Sequence, residues 1–340
     1  MAMPASPDRD RLRLLTKVAR LYHEQGVRQP EIAERLNLSQ ARVSRLLKEA
    51  SELGIVRTII VPPPGVHADI EDELIRRYGL RDVMVVDVEG SAGDITAALG
   101  ASGATYLDMT LQNDDVIGVS SWSTTLLAAV DAMRPRHTLN ARQVIQLMGG
   151  VGSPDAQMQA TRLTGRLATL TGAAPLFVPS PGLVGSATLQ QALLTDPAVQ
   201  TVREAWSELT VALVGIGTTT PSPLLRQSGN GLSDADQRTL RDAGAVGDVC
   251  LRYFDEAGQP VVADLDQRII GIDRETLLGT ARRIAIAGGQ EKATAIRAAV
   301  LGRWVNILIT DLGVAGHLLG ASADAPPSAP SADREPVDHR

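Results

Sequence analysis

QPEIAERLNLSQARVSRLLKEASELGIV, residues 29–56, reads as two short helices joined by a tight turn, and it decides the architecture of the N-terminal region. Pro30 suits a first helical position, where its missing N–H would have no partner anyway, and Glu31 lies against the positive end of the helix dipole. Ile32, Ala33 and Leu36 give this helix one apolar face, with the small Ala33 letting another helix approach. Asn37 tolerates the left-handed backbone of a tight turn, Leu38 plugs the core, and Ser39 is a good N-cap for the next helix. At about 100° per residue, Val43, Leu46, Leu47 and Ala50 share one side of that helix, while Ala41, Ser44, Arg45 and Lys48 share the other. One face packs and the other is free to read DNA, the division of labour of a helix-turn-helix. Arg45 matches the two acceptors of a guanine edge, Gln40 and Ser44 suit bases or phosphates, and Arg42 and Lys48 suit phosphates. A merely solvated basic face is the alternative, but turn chemistry, caps and charge agree on the DNA reading.

Outward from this stretch, Leu14, Leu15, Val18 and Leu21 recur at helical spacing and predict a preceding helix that stops at Gly26. After Gly54 the run Ile55–Ile60 predicts the short strand of a wing, with Arg57 either on a phosphate or simply exposed. Residues 1–61 thus read as a winged helix-turn-helix domain. Val61-Pro62-Pro63-Pro64-Gly65 interrupts the pattern: prolines lack a backbone donor and disfavour helix in the residue before them, so 62–65 is a linker. The charge changes at the same place. Residues 1–61 carry 11 Lys and Arg against 7 Asp and Glu, a net of +4, so the whole-chain charge of −6 leaves −10 for the rest. A basic head on an acidic body meets phosphates with the head alone.

Residues 66–320 alternate apolar runs with helical patterns. Strands are predicted at Val83–Val88, Val116–Val119, Gln143–Leu147, Leu209–Ile216, Val249–Phe254, Arg282–Ala287 and Val305–Thr310. Helices are predicted at Asp69–Arg77, Ile95–Leu111, Thr125–Met133, Gln157–Leu170, Asp234–Asp242 and Gln290–Leu301. That alternation is the signature of an α/β domain with a largely parallel sheet covered on both faces, which binds ligands at the carboxyl ends of its strands. Residues 321–340 are Ala, Ser, Pro and charge with little to bury, and read as a disordered tail. The single cysteine, Cys250, has no internal disulfide partner, and no long apolar run follows a basic start, so a cytoplasmic protein is expected.

Residues 29–56 resemble the DNA-binding head of the SorC-type sugar-binding transcriptional regulators. The resemblance continues through Gln146-Leu147-Met148-Gly149-Gly150-Val151-Gly152, Gly244-Ala245-Val246-Gly247-Asp248 with Tyr253-Phe254-Asp255, Ala287-Gly288-Gly289 with Lys292, and Ile309-Thr310-Asp311, in order, over roughly residues 12–319. It implies a DeoR-like regulator with a Rossmann-like effector domain, similar to ribose-phosphate isomerases and glucosamine-phosphate deaminases, spanning 66–320 and also serving oligomerisation. It further implies a sugar, polyol or sugar-phosphate effector and control of a carbohydrate catabolic operon.

Three strand ends carry candidate effector chemistry. Gly118–Thr125 is a hydroxyl-rich strand-to-helix turn; Ser123, Thr124 and Thr125 offer donors beside a helix start, with plain N-capping as the alternative. The resemblance makes it the family's phosphate or sugar loop. Trp122 and Ser123 stand where members often carry glycine, which narrows the space for a phosphate; Trp122 either stacks on a sugar ring or belongs to the core. Gly215-Ile216-Gly217 is a lone G-x-G and says little by itself. Lys292 follows Gly288-Gly289, opposes a helix dipole in a first turn, and is the sole lysine after Lys48 in an otherwise arginine-based domain. It suits a ligand phosphate or carboxylate, or pairs with Glu291; the resemblance implies ligand contact. Asp248 corresponds to a frequent acidic residue that bonds sugar hydroxyls, and Gln159 is a candidate amide. Arg226 lies in a loop, Pro221–Gly231, able to fold over a ligand, and Asp311 caps the helix after the last strand.

No catalytic residue, metal ligand or cofactor site is expected. His23, His67, His137, His317 and His339 have no paired acid at a strand end, and there is no G-x-S-x-G elbow, zinc spacing or Walker loop. The alternatives are a sugar-phosphate isomerase-like enzyme and a DNA-binding scaffold without a ligand. Since one helix-turn-helix covers one half-site, the expected partners are double-stranded operator DNA, a carbohydrate effector and further copies of the chain, as homodimer or homotetramer, with no membrane.

Overall fold

The computed structural model describes residues 9–58, 61–135, 138–150, 154–220, 225–226, 230, 232–261 and 263–320. The chain divides into two compact units, Met1–Pro63 and Pro64–Arg340. The expected tail, 321–340, lies outside the described residues, as does most of the loop 221–231.

In the first unit, α1 (Arg9–His23), α2 (Gln29–Arg35) and α3 (Gln40–Glu52) enclose a core of Leu15, Val18, Ile32, Ala33, Val43, Leu46, Leu47 and Ala50. The turn after α2 shows why Asn37 and Leu38 stand there. Asn37 takes φ 51° and donates its N–H to Glu34 O (3.2 Å), while the Leu38 N–H reaches Ala33 O (2.8 Å). This paired pattern is a Schellman cap; Leu38 supplies its apolar contact. Ser39 then caps α3, accepting from the Arg42 N–H at 3.2 Å. Glu49 on α3 takes a forked bond from Arg11 on α1, at 2.7 and 2.9 Å.

The predicted wing strand is corrected. Ile55–Thr58 form no strand, and Ile59 and Ile60 lie outside the described residues. Gly54, at φ 70°, and Ile55 instead close a second Schellman cap, with N–H bonds to Ser51 O (3.0 Å) and Ala50 O (2.9 Å). The apolar side chains that suggested a strand, Ile55 and Val56, pack on the three-helix core.

The second unit begins with α4 (Ala68–Tyr78) and β1 (Asp82–Val86), followed by α5 (Ala92–Thr110), β2 (Val116–Val119), α6 (Thr124–Ala132), β3 (Gln143–Gln146), α7 (Pro154–Thr171) and β4 (Ala174–Leu176). Next come α8 (Ala187–Leu194), α9 (Pro197–Trp206), β5 (Val211–Val214), β6 (Gly217–Thr218), α10 (Asp234–Asp242), β7 (Gly247–Val249) and β8 (Arg252–Phe254). The unit ends with α11 (Ala263–Asp266), α12 (Arg274–Gly279), β9 (Arg282–Ile286), a 3-10 turn (Gln290–Lys292), α13 (Ala293–Leu301), β10 (Ile307–Asp311) and α14 (Leu312–Gly320).

Among the described residues, seven strands form one parallel sheet in the order β1-β10-β9-β5-β2-β3-β4. Alternation along β5 places Val211 and Leu213 in the core shared with α5, α6 and α7, and Ala212 and Val214 in the core on the other face. Both faces are thus buried, as expected of a parallel sheet. From β2 the chain steps outward through β3 to β4, returns to the other side of β2 with β5, and then steps the opposite way through β9 and β10. The reversal between β2 and β5 is a topological switch point, where neighbouring loops diverge and leave a crevice.

One predicted strand is corrected here. Val249–Phe254 is a tight hairpin in a separate antiparallel sheet, β6-β7-β8, because Cys250 and Leu251 take φ 53° and 64° and reverse the chain. Such turns normally announce themselves with Gly, Asn or Asp, and two apolar residues concealed this one. The seventh parallel strand is β4, an edge strand of Ala174, Pro175 and Leu176 with no apolar alternation to reveal it.

Candidate functional site

A cavity of about 690 Å³ opens at the carboxyl ends of the central strands. Ser120, Trp122, Ser123 and Thr124 reach it after β2, Met148 after β3, Gly215 to Thr220 after β5, and Glu291, Lys292 and Thr294 after β9. The β7–β8 hairpin contributes Asp248, Cys250 and Leu251, and Arg226 also lines it. The lining therefore collects residues from both sides of the switch point. The structure brings together five of the seven effector candidates named from the sequence: Trp122, Ser123, Thr124, Asp248 and Lys292.

The other two are placed elsewhere. Thr125 is buried among the inward-facing residues of α6, one position round the helix from Thr124, and Gln159 sits on α7 without reaching the lining. Trp122 also needs revision as a stacking platform. It is only 5% exposed, its Nε1–H donates to Gly149 O at 3.2 Å, and a Cβ on Gly150 would collide with its ring. The indole is a core side chain with an edge on the cavity. Ser123 is the N-cap of α6, accepting from the Leu126 N–H at 3.3 Å.

The G-x-G after β5 gains meaning from its neighbours. A Cβ on Gly215 would lie 2.9 Å from Ser123 Oγ, and one on Gly217 would strike Asp248 Oδ1. Both glycines allow the strand end to pass close to polar side chains of the cavity. Ser120, within the hydroxyl-rich turn, and Thr218, beside the G-x-G, also line the cavity, together with Thr219, Thr220 and Thr294, which sequence reasoning missed; the hydroxyl run directly after the G-x-G was the available signal for Thr219 and Thr220.

Asp248 and Lys292 give the cavity its charge. Asp248 is 6% exposed, and its Oδ2 accepts the Leu251 N–H at 2.9 Å. Burial pushes its carboxyl up to about 6, against the smaller downward pull of the Leu251 N–H and the Lys292 ammonium. Burial likewise lowers Lys292, opposed by the negative charges of Glu291 and Asp248. Each group is thus held in its charged form partly by the other. Cys250 is different: burial, aided by Asp248, pushes its thiol up to about 12, so it stays protonated and unreactive.

On α3 in the first unit, Gln40, Arg42, Ser44, Arg45 and Lys48 are all exposed, opposite the buried Val43, Leu46, Leu47 and Ala50. Arg45 Nε donates to Ala41 O at 3.3 Å, and Lys48 Nζ lies 3.8 Å from Glu52 Oε1. Both contacts are local and exposed, and surface pairs of this kind are easily exchanged for a better partner. Among the described residues, no helix is long and apolar enough to cross a membrane.

Comparison with known proteins places this arrangement. The family model described as "Putative sugar-binding domain" matches residues 63–320. The chain is 31% identical over 314 residues to the deoxyribonucleoside regulator of Bacillus subtilis (strain 168), covering 92% of this chain and 99% of that protein. It is 30% identical over 319 residues to the sorbitol operon regulator of Klebsiella pneumoniae, covering 91% and 98%. The crystal structure of the full-length sorbitol operon regulator SorC from Klebsiella pneumoniae superposes with a TM-score of 0.67 at 28% identity, over 91% of this chain and 99% of that one. The chain belongs to the family of sugar-binding transcriptional regulators that contains these proteins.

Proposed function

We propose that this chain regulates transcription by holding operator DNA with α2 and α3, used as a helix-turn-helix, and by changing that grip when a sugar, polyol or sugar phosphate enters the cavity beside Asp248 and Lys292. The observation that carries the reading is the position of that pair, at the switch point of a parallel sheet and among serine and threonine hydroxyls. A carboxylate that accepts one backbone N–H keeps acceptor capacity for ligand hydroxyls, and the ammonium supplies donors to a hydroxyl, carboxylate or phosphate oxygen. The cavity volume falls within the range that encloses a small ligand.

The effector acts as a signal rather than a substrate. Among the described residues, the cavity lining contains no histidine, and the protonated Cys250 thiol is a poor nucleophile. On α3, Arg45 is the base-reading side chain, with Gln40 and Ser44 beside it and Arg42 and Lys48 on phosphates. Two such heads on a palindrome require a dimer or tetramer, and the large unit supplies the contacts between copies. A thermal melting screen with pentoses, hexoses, hexitols and their phosphates tests the effector site. A ligand at about 100 times its Kd adds about 2.7 kcal/mol to the stability of the folded state, and Lys292→Ala reduces that gain, most for a phosphorylated ligand. A sugar that stabilises wild type and Lys292→Ala equally would place the effector elsewhere.

A further inference from the structure

Lys292 reaches the cavity from an unusual backbone. Gly289, at φ 95°, is the N-cap of the 3-10 turn that ends at Lys292, and the Lys292 N–H closes that turn on Gly289 O at 2.9 Å. Gly289 is itself tethered. Its N–H donates to Asp311 Oδ2 at 2.7 Å, and a Cβ on Gly288 would collide with that same oxygen. Asp311 is 3% exposed and stands at the end of β10, next to the β9 strand from which the lysine turn departs.

The second oxygen of this carboxylate has its own task. Asp311 Oδ1 accepts the Val314 N–H at 2.9 Å, in the first turn of α14. The last turn of α14 in turn offers Leu318 O to the Tyr78 hydroxyl (2.8 Å) and Leu319 O to Arg77, both at the end of α4. Helix capping alone would be served by serine, threonine or asparagine. Asp311 instead divides its two oxygens, one on α14 and one on the Gly289 turn, and so holds the two together.

We propose that Asp311 is a positioning residue of the effector cavity: it holds the Gly288-Gly289 turn so that the Lys292 ammonium faces Asp248, and ties that turn to α14. The proposal rests on the reading of Lys292 as an effector-site residue, and its test needs no effector. The chain contains three lysines, Lys17, Lys48 and Lys292, so lysine labelled with carbon-13 at Cε gives three resonances, and Lys292→Arg identifies one of them by its loss. Each resonance is titrated with pH in the full-length chain. The variants are Asp311→Ser, which keeps a cap for Val314 and releases Gly289, and Asp311→Asn, which keeps the size but has a single acceptor oxygen. Asp273→Ser is the control, altering the ordinary N-cap of α12.

In wild type and in the control, Lys292 titrates below the ordinary lysine value of 10.5. In both Asp311 variants its midpoint rises towards that ordinary value, because the released side chain returns to water. The direction separates positioning from charge: removing a nearby negative charge without moving the lysine would shift the midpoint down. A midpoint that stays in place or falls, in either variant with the helical circular dichroism of wild type, overturns the proposal. A sugar screen that finds no ligand would count against the effector site and leave this titration unaffected.

Discussion

Asp248→Asn should make the effector-free protein more stable while it spoils the effector site. In the fold Asp248 is almost fully buried and its carboxyl lies near 6, against an ordinary 3.8. Between those values the folded state holds a proton that the unfolded chain releases, so stability falls as pH rises from about 4 to about 6 and stays reduced above that. At 1.36 kcal/mol for each tenfold change, keeping Asp248 ionised at pH 7 costs up to about 3 kcal/mol. The amide variant has the same shape, still accepts the Leu251 N–H, and escapes this cost. For a unit of this size, about 3 kcal/mol corresponds to a rise in Tm of roughly 6–12 °C as an upper bound. Urea unfolding of both proteins at pH 7 and again near pH 4 provides the check. The account requires a gain at pH 7 that shrinks towards zero near pH 4, together with weakened effector binding. An equal gain at both pH values, or a loss at pH 7, would refute the electrostatic reasoning. The sacrifice of stability for a charged group in a cavity is a common trade at binding sites.

Arg45→Ala should leave unfolding unchanged and weaken operator binding by about 1–3 kcal/mol at each half-site, measured by fluorescence anisotropy; unaltered affinity would remove α3 from the interface. Ser39→Ala should destabilise the first unit by about 1 kcal/mol through loss of the bond to the Arg42 N–H, detectable as faster amide exchange along α3. Lys292→Ala should weaken a phosphorylated effector far more than a neutral one, and titrations with a matched sugar and sugar phosphate distinguish the two. Sedimentation should find a dimer or tetramer at micromolar concentration, and a strict monomer with and without DNA would contradict two-headed binding.

The residues differ in how openly they announced their roles. In α2 and α3 every signal was local: Pro30 at the start, Asn37 in the left-handed turn, Ser39 at the cap and the split faces of α3 all stand where the sequence placed them. Six of the seven parallel strands were readable from apolar runs because both their faces are buried; the edge strand β4 was not. The hairpin at Cys250 and Leu251 was not, since turn geometry imposed by surrounding packing leaves no Gly or Asn to mark it. In the cavity, Lys292 stood out by its rarity and Ser123 and Thr124 by their hydroxyls, whereas Thr125 looked the same in one dimension and turned inward by one helical step. Trp122 was ambiguous because the acceptor of its N–H, Gly149, is 27 residues away. Asp311 was read as a helix cap; its second bond, to Gly289, joins two strands of the sheet and has no local signature.

The most direct test of the account measures the affinity of the full-length chain for a labelled DNA fragment from upstream of its own gene, with and without the sugar that gives the largest melting shift. Coupling between effector and operator sites of about 1–3 kcal/mol predicts a change in DNA affinity of some five- to 150-fold, which in Lys292→Ala needs a higher sugar concentration. An operator affinity that is the same at zero and saturating sugar would contradict the claim that the cavity controls the DNA-binding head.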